Sequence, residues 1–182
     1  MKEQLKTDFE KSLKTSDFSE KDIKLRKIHL NKFIESGFPN RKLENWKFLD
    51  LNQIINKDIG ELSFYNDYSE PNKINSSIFI DNLEHNKIVF INGKIEKIDF
   101  NYEDENQIEI FDDFELNDDF DNKNSLIYLN NAFTNKYCKI LVKENYSIKK
   151  PLVIYHLVNE KMKSKNINIR LDFDLEQNSS LK

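Results

Sequence analysis

The chain has 182 residues, a net charge of −4, 38% hydrophobic and 33% charged residues, and a mean hydropathy of −0.73. The acidic balance argues against the basic face that nucleic-acid binding needs, while 14 Phe and 7 Tyr supply too much core material for a wholly disordered chain. No apolar run approaches the roughly 18 residues of a membrane span, "MKEQLKTDFEKSLK" has no apolar signal core, and one cysteine excludes an internal disulfide framework, so the expectation is a cytoplasmic protein.

In the first stretch Met1, Leu5, Phe9 and Leu13 recur every four residues, which predicts a helix with a narrow apolar stripe. "TSDFSEKD" breaks it, and Ser19 with Asp22 has the form of a capping box opening a second helix. That helix carries Ile23, Leu25, Ile28, Leu30, Phe33 and Ile34 as its expected buried face. "FIESGFP" ends it: Gly37 supplies the positive φ after the last turn, Phe38 folds back on Phe33, and Pro39 blocks continuation. "RKLENWKFLDL" follows, with Leu43, Trp46 and Leu49 at the spacing of a short helix or turn. The only Trp of the chain is expected to anchor this segment to the core, so Trp46→Ala should cost roughly 3–5 kcal/mol.

From about residue 74 the apolar period changes to two. Strands are expected near 77–81, 87–91 and 94–98 as a small meander, with Asn92-Gly93 as a type I′ hairpin turn. Asp99 to Asp121 then holds eleven acidic residues and no Lys or Arg. Its interspersed Phe and Ile side chains predict that part of it docks. It lacks the central Gly and terminal Glu of a calcium loop. Leu126, Leu129 and Phe133 suit a short helix, "YCKILV" and "PLVIYHLV" suit two strands, and alternation from Ile167 through Ile169, Leu171 and Phe173 to Leu175 suits a third.

Few residues carry chemistry. In "KYCKILV" Cys138 alternates with Ile140 and Val142, which reads as a small buried hydrophobe; a cluster needs several thiolates. His29, His85 and His156 lie far apart in sequence without metal-ligand spacing. Ser179-Ser180 lacks a nucleophile elbow. Gly37, Gly60 and Gly93 are isolated, so no phosphate-binding loop is present. No catalytic, cofactor-binding or metal-binding residue is assigned.

Three stretches, in order, resemble one family. "GFPNRKLENWKFLDL" is similar to a P-x-R-K-x-E-x-W-K motif, "IVFINGKI" to an F-V-N-G hairpin, and "LIYLNNAFTNKYCKILVKENYSIKKPLVIYHLV" to an L-N-x-A-F helix leading through a strand and a Pro into an apolar strand. All three resemble the SufD family of the SufBCD iron–sulfur cluster assembly system. The paralogous SufB family shares the core but lacks this form of the Trp box. The resemblance implies an α+β chain with an N-terminal helical region (1–60), a small β meander with an acidic linker (61–124), and the start of a right-handed parallel β-helix (125–182), truncated after its first coils.

It also implies a non-catalytic scaffold subunit whose partners are a SufB-like paralogue and a SufC-like ATPase. No cofactor is bound by this segment; the cluster is handled by the whole complex. Two other readings stay open from the residues alone: a cytosolic interaction module using the acidic segment, and a β-helix enzyme acting on carbohydrate.

Overall fold

Helix α1 (Lys2–Thr15) forms where its stripe predicts: Leu5 and Phe9 are buried and Leu13 is half-buried. Helix α2 (Glu20–Ser36) opens on Ser19, whose hydroxyl accepts the Asp22 N–H at 3.1 Å. It closes at Gly37, where φ is 70° and the N–H donates to the Phe33 carbonyl at 2.7 Å. Phe38 then packs edge-on against Phe33, ring centroids 5.0 Å apart. The computed structural model describes residues 2–65, 78–111, 124–134 and 137–182. These fall into two compact units, one within residues 1–66, 115–135 and 161–169, the other within 67–114, 136–160 and 170–182.

The first unit is helical. Helix α4 (Ser125–Phe133) packs on α2, and α3 (Leu51–Ile54) widens into a π turn over Ile55–Ile59. Leu5, Phe9, Leu30, Phe33, Phe38, Ile55, Phe64, Leu129, Ala132 and Phe133 form one apolar core. The α2 stripe is rotated from the expected one. Ile28 is exposed, whereas Arg26 and His29 are buried. Arg26 is accommodated because its guanidinium lies 3.7 Å from the Phe18 ring centroid and Nη1 donates to the Ala132 carbonyl at 3.3 Å. Buried Asp8 fastens the segment after α3 to α1, accepting the Phe64 N–H at 2.8 Å and the Ser63 hydroxyl at 3.3 Å.

Trp46 departs from expectation. It ends a short 3-10 turn, Glu44–Trp46, and is only half-buried, while Leu43, Phe48 and Leu49 around it are exposed. Phe38, not Trp46, anchors this part of the chain, because its ring meets both Phe33 and Phe64.

The second unit contains two three-stranded sheets. In one, β1 (Asn86–Ile91) pairs antiparallel with β2 (Lys94–Asp99) and parallel with β5 (Leu152–Leu157). Asn92 and Gly93 take φ of 53° and 90°, as the I′ turn requires. In the other, β4 (Tyr137–Val142) lies between antiparallel β3 (Ile108–Phe111) and parallel β6 (Arg170–Leu175). The third meander strand does not form over the described part of 77–81. The second edge of β1 is occupied by β5, and the Ile80 N–H donates instead to the Tyr155 hydroxyl at 3.1 Å. The final strand is shorter than its alternation suggested: only 170–175 pairs, although the pattern begins at Ile167. The chain is therefore α+β, with helices in one unit and mixed sheets in the other.

Candidate functional site

The reactive side chains serve packing. Cys138 is 1% exposed, and Ile140 and Val142 on the same face of β4 are fully buried. His29 packs against Tyr128 in the helical unit. His156 stacks on Phe90, and His85 meets the Tyr155 hydroxyl at 2.8 Å while its Nδ1 meets the Leu83 carbonyl at 2.6 Å. A carbonyl can only accept, so Nδ1 of a neutral His85 carries the proton and Nε2 accepts from Tyr155. Among the described residues no three His, Cys, Asp or Glu side chains gather as a metal site would require. Residues 112–121 of the acidic segment lie outside the described residues. In its described part, Asp104 pairs with Lys149 and Glu109 with Lys143.

What stands out is a repeated turn carried by the parallel strands. Tyr137 lies beside Arg170 and Val142 beside Leu175, a step of 33 residues. Beyond the strands the same step continues, with Ser147 bridged to Ser180. Asn145 and Asn178 both adopt positive φ, 61° and 58°. Asparagine tolerates this conformation, and it reverses the chain at equivalent places. The Asn178 amide donates to the Asn145 side-chain oxygen at 3.0 Å, and the Ser180 hydroxyl to that of Ser147 at 2.8 Å. Main-chain bonds run alongside: Asn145 N–H to Gln177 O at 2.9 Å, Ser180 N–H to Tyr146 O at 3.0 Å, and Ile148 N–H to Ser180 O at 3.1 Å. Like residues stacked on like residues make a side-chain ladder in addition to the backbone one.

Sequence reading missed this feature. Its signal is present as "VKENYSI" at 142–148 and "LEQNSSL" at 175–181, which share an apolar first and last position, Asn fourth and Ser sixth. A search for internal periods would have found it.

Both outer strands of this stack expose apolar side chains. Phe173 and Leu175 on β6 are 38% and 46% exposed, and Ile154 on β5 and Val158 just after it are exposed as well. β6 pairs only with β4, and β5 with β1, among the described strands. Charge on β6 is neutralised locally: Arg170 forks onto Asp172 with two bonds of 3.0 Å, and Lys139 of β4 reaches Asp174 at 2.9 Å. The edge of β6 thus offers backbone groups and apolar side chains, which suits sheet extension, whereas on β5 the Leu152 N–H already donates to the Lys182 carbonyl at 2.9 Å.

Charged groups elsewhere in the second unit are held in hydrogen bonds and ion pairs. Glu103 accepts from the Asn86 amide at 2.6 Å, the Tyr146 hydroxyl at 2.7 Å and the Lys149 N–H at 2.9 Å. Burial alone would push its carboxyl up, but these bonds and the Lys150 N–H outweigh burial and hold it below the usual range. A hydrogen bond to Glu109 raises Lys143, and one to Asp104 raises Lys149. Each of these shifts strengthens the charged form, as ion pairing and hydrogen bonds to the charged group do.

No protein-family model and no curated protein sequence matches the chain. Among the described residues, no helix is long and apolar enough to cross a membrane.

Proposed function

We propose that the chain is an N-terminal piece of a SufD-like scaffold subunit of cytoplasmic iron–sulfur cluster assembly, acting by position and not by catalysis. The observation that carries this reading is the 33-residue step, repeated at β4 and β6 and at Ser147 and Ser180. β1 against β5, Asn86 beside Leu152, stands at 66 residues, twice that step. Parallel strands stacked directly on one another, with an Asn turn repeated at equivalent positions of β4 and β6, are what the opening coils of a parallel β-helix require. The three motifs quoted above supply the family.

In this reading β1 and β4 form the first parallel layer, flanked on one side by antiparallel β2 and β3, and Lys94, Glu96 and Lys97 along β2 discourage further pairing there. The opposite side, β5 and β6, is the growing side. It takes further coils or a strand of a SufB-like paralogue through main-chain hydrogen bonds. A SufC-like ATPase would then move the assembled scaffold, and the cluster is cargo of the complex.

The test is co-expression with a SufB-like paralogue followed by size-exclusion chromatography with light scattering. A stable complex with the paralogue is expected, and Phe173→Asp, on the exposed edge, should abolish it while leaving the circular dichroism unchanged. Failure to form the complex, or its survival in a folded Phe173→Asp protein, would overturn the assignment of the interface to this edge.

A further inference from the structure

The loop between Phe38 and Leu51 has no part in the reading above. The Leu51 N–H donates to the Pro39 carbonyl at 3.2 Å and closes its base. Inside it the N–H groups of Leu43, Trp46, Lys47 and Leu49 donate to the carbonyls of Asn40, Leu43, Glu44 and Trp46 at 2.8–3.3 Å. The backbone is thus tied to itself, as in compact surface loops, and leaves no row of free groups for a partner strand.

Its side chains lie in water. From Arg41 to Leu49 every residue is exposed except half-buried Trp46. Phe48 is 85% exposed, Leu43 51% and Leu49 40%. A phenyl ring left this far in water, in a run with two exposed leucines, marks an interaction site. The same nine residues hold three cations, Arg41, Lys42 and Lys47, against the one carboxylate of Glu44, in a chain whose net charge is −4. The Lys47 ammonium lies 4.9 Å from the Phe48 ring centroid, so the positive charge and the most exposed ring share one spot.

We propose that loop 41–49 is a peripheral membrane contact that docks on an anionic lipid surface. Phe48, Leu43 and Leu49 enter the headgroup boundary, while the lysine and arginine stems lie along them and keep their charged heads at the lipid phosphates. A small apolar surface alone binds a bilayer weakly, and cations beside it supply the second signal by selecting an anionic leaflet. An acidic peptide would meet the same charges, but peptides are held by a free strand edge or an apolar groove. This loop spends its N–H groups internally and carries its apolar side chains on an exposed turn, a form that suits a soft, two-dimensional surface. The contact uses neither β5 nor β6, so its failure leaves the scaffold reading untouched.

Vesicle flotation of the full chain tests this directly. Vesicles of equal parts phosphatidylcholine and phosphatidylglycerol should carry the protein upward at low ionic strength, and pure phosphatidylcholine should carry little. High salt should weaken the binding, because exposed charges are screened. Phe48→Ser and Lys47→Glu should each lower partition by about fivefold or more. Lys27→Glu, an exposed cation of α2 outside the loop, should change it far less. Circular dichroism shows that each variant is folded.

The decisive arm reads Trp46, the only Trp of the chain and a member of the loop. Its emission should move to shorter wavelength on the anionic vesicles, and brominated acyl chains should quench it. Wild-type protein that does not float with anionic vesicles would overturn the proposal. So would equal binding to pure phosphatidylcholine, or folded Phe48→Ser and Lys47→Glu proteins that float like wild type. A Trp46 shift with soluble polyglutamate as large as with vesicles would also overturn it, and would assign the loop to an acidic protein segment instead.

Discussion

Glu103 shows how much one side chain can organise. Its two oxygens accept from Asn86 at the start of β1 and from Tyr146, Lys149 and Lys150 in the turn before β5. Asn86 is fully buried and its amide donates to both Glu103 and the Lys150 carbonyl, so removing Glu103 leaves one amide N–H without its acceptor away from water. Glu103→Ala should therefore cost about 1–3 kcal/mol at neutral pH, measured by urea denaturation. The pH dependence follows from the direction of the shift. Folding lowers the Glu103 pKa from its ordinary 4.5, so its stabilisation is present above that value and is lost as pH falls through the folded value. The gap between wild type and Glu103→Ala should accordingly narrow in acid, and a gap that stays constant from neutral to about pH 3 would contradict the assignment. Nothing in the sequence around Glu103 separates it from its acidic neighbours. Its role depends on a turn more than forty residues away.

Among the elements, local sequence signals match the structure where the chemistry is local. Ser19 caps, Gly37 stops and Asn92-Gly93 turns because each works through atoms within a few residues. The loop after Gly37 departs from expectation because the size of a Trp does not bury it; burial is decided by neighbours that sequence spacing does not name. The correction has a measurable form. Phe38→Ala should destabilise by about 3–5 kcal/mol, since the ring lies between Phe33 and Phe64. Trp46→Ala should cost about 1 kcal/mol or less. Thermal unfolding of the two variants side by side distinguishes these outcomes, and equal losses would restore Trp46 as the anchor. The α2 face was misjudged for a related reason: Arg26 and His29 are polar by type, yet they face α4, where Ala132 and Tyr128 receive them.

For the molecule as a whole, Cys138 is a built-in reporter. It is buried on β4, which is paired on both sides by β3 and β6, so alkylation should be very slow in the native state. Raising urea below the unfolding midpoint should accelerate it only as the β3-β4-β6 sheet opens. Rapid labelling of the folded protein would show that the sheet is loosely held. Residue type and periodicity were enough for the capped helices, the I′ hairpin and the buried thiol, because those follow from local hydrogen bonding and from which side chains avoid water. Which strand lies beside which is a different matter. The parallel pairing of β1 with β5 and the rotation of α2 are settled by long-range contacts whose energy depends on the three-dimensional arrangement. The 33-residue echo of Asn and Ser was written in the chain, but only the fold brings each pair within bonding distance.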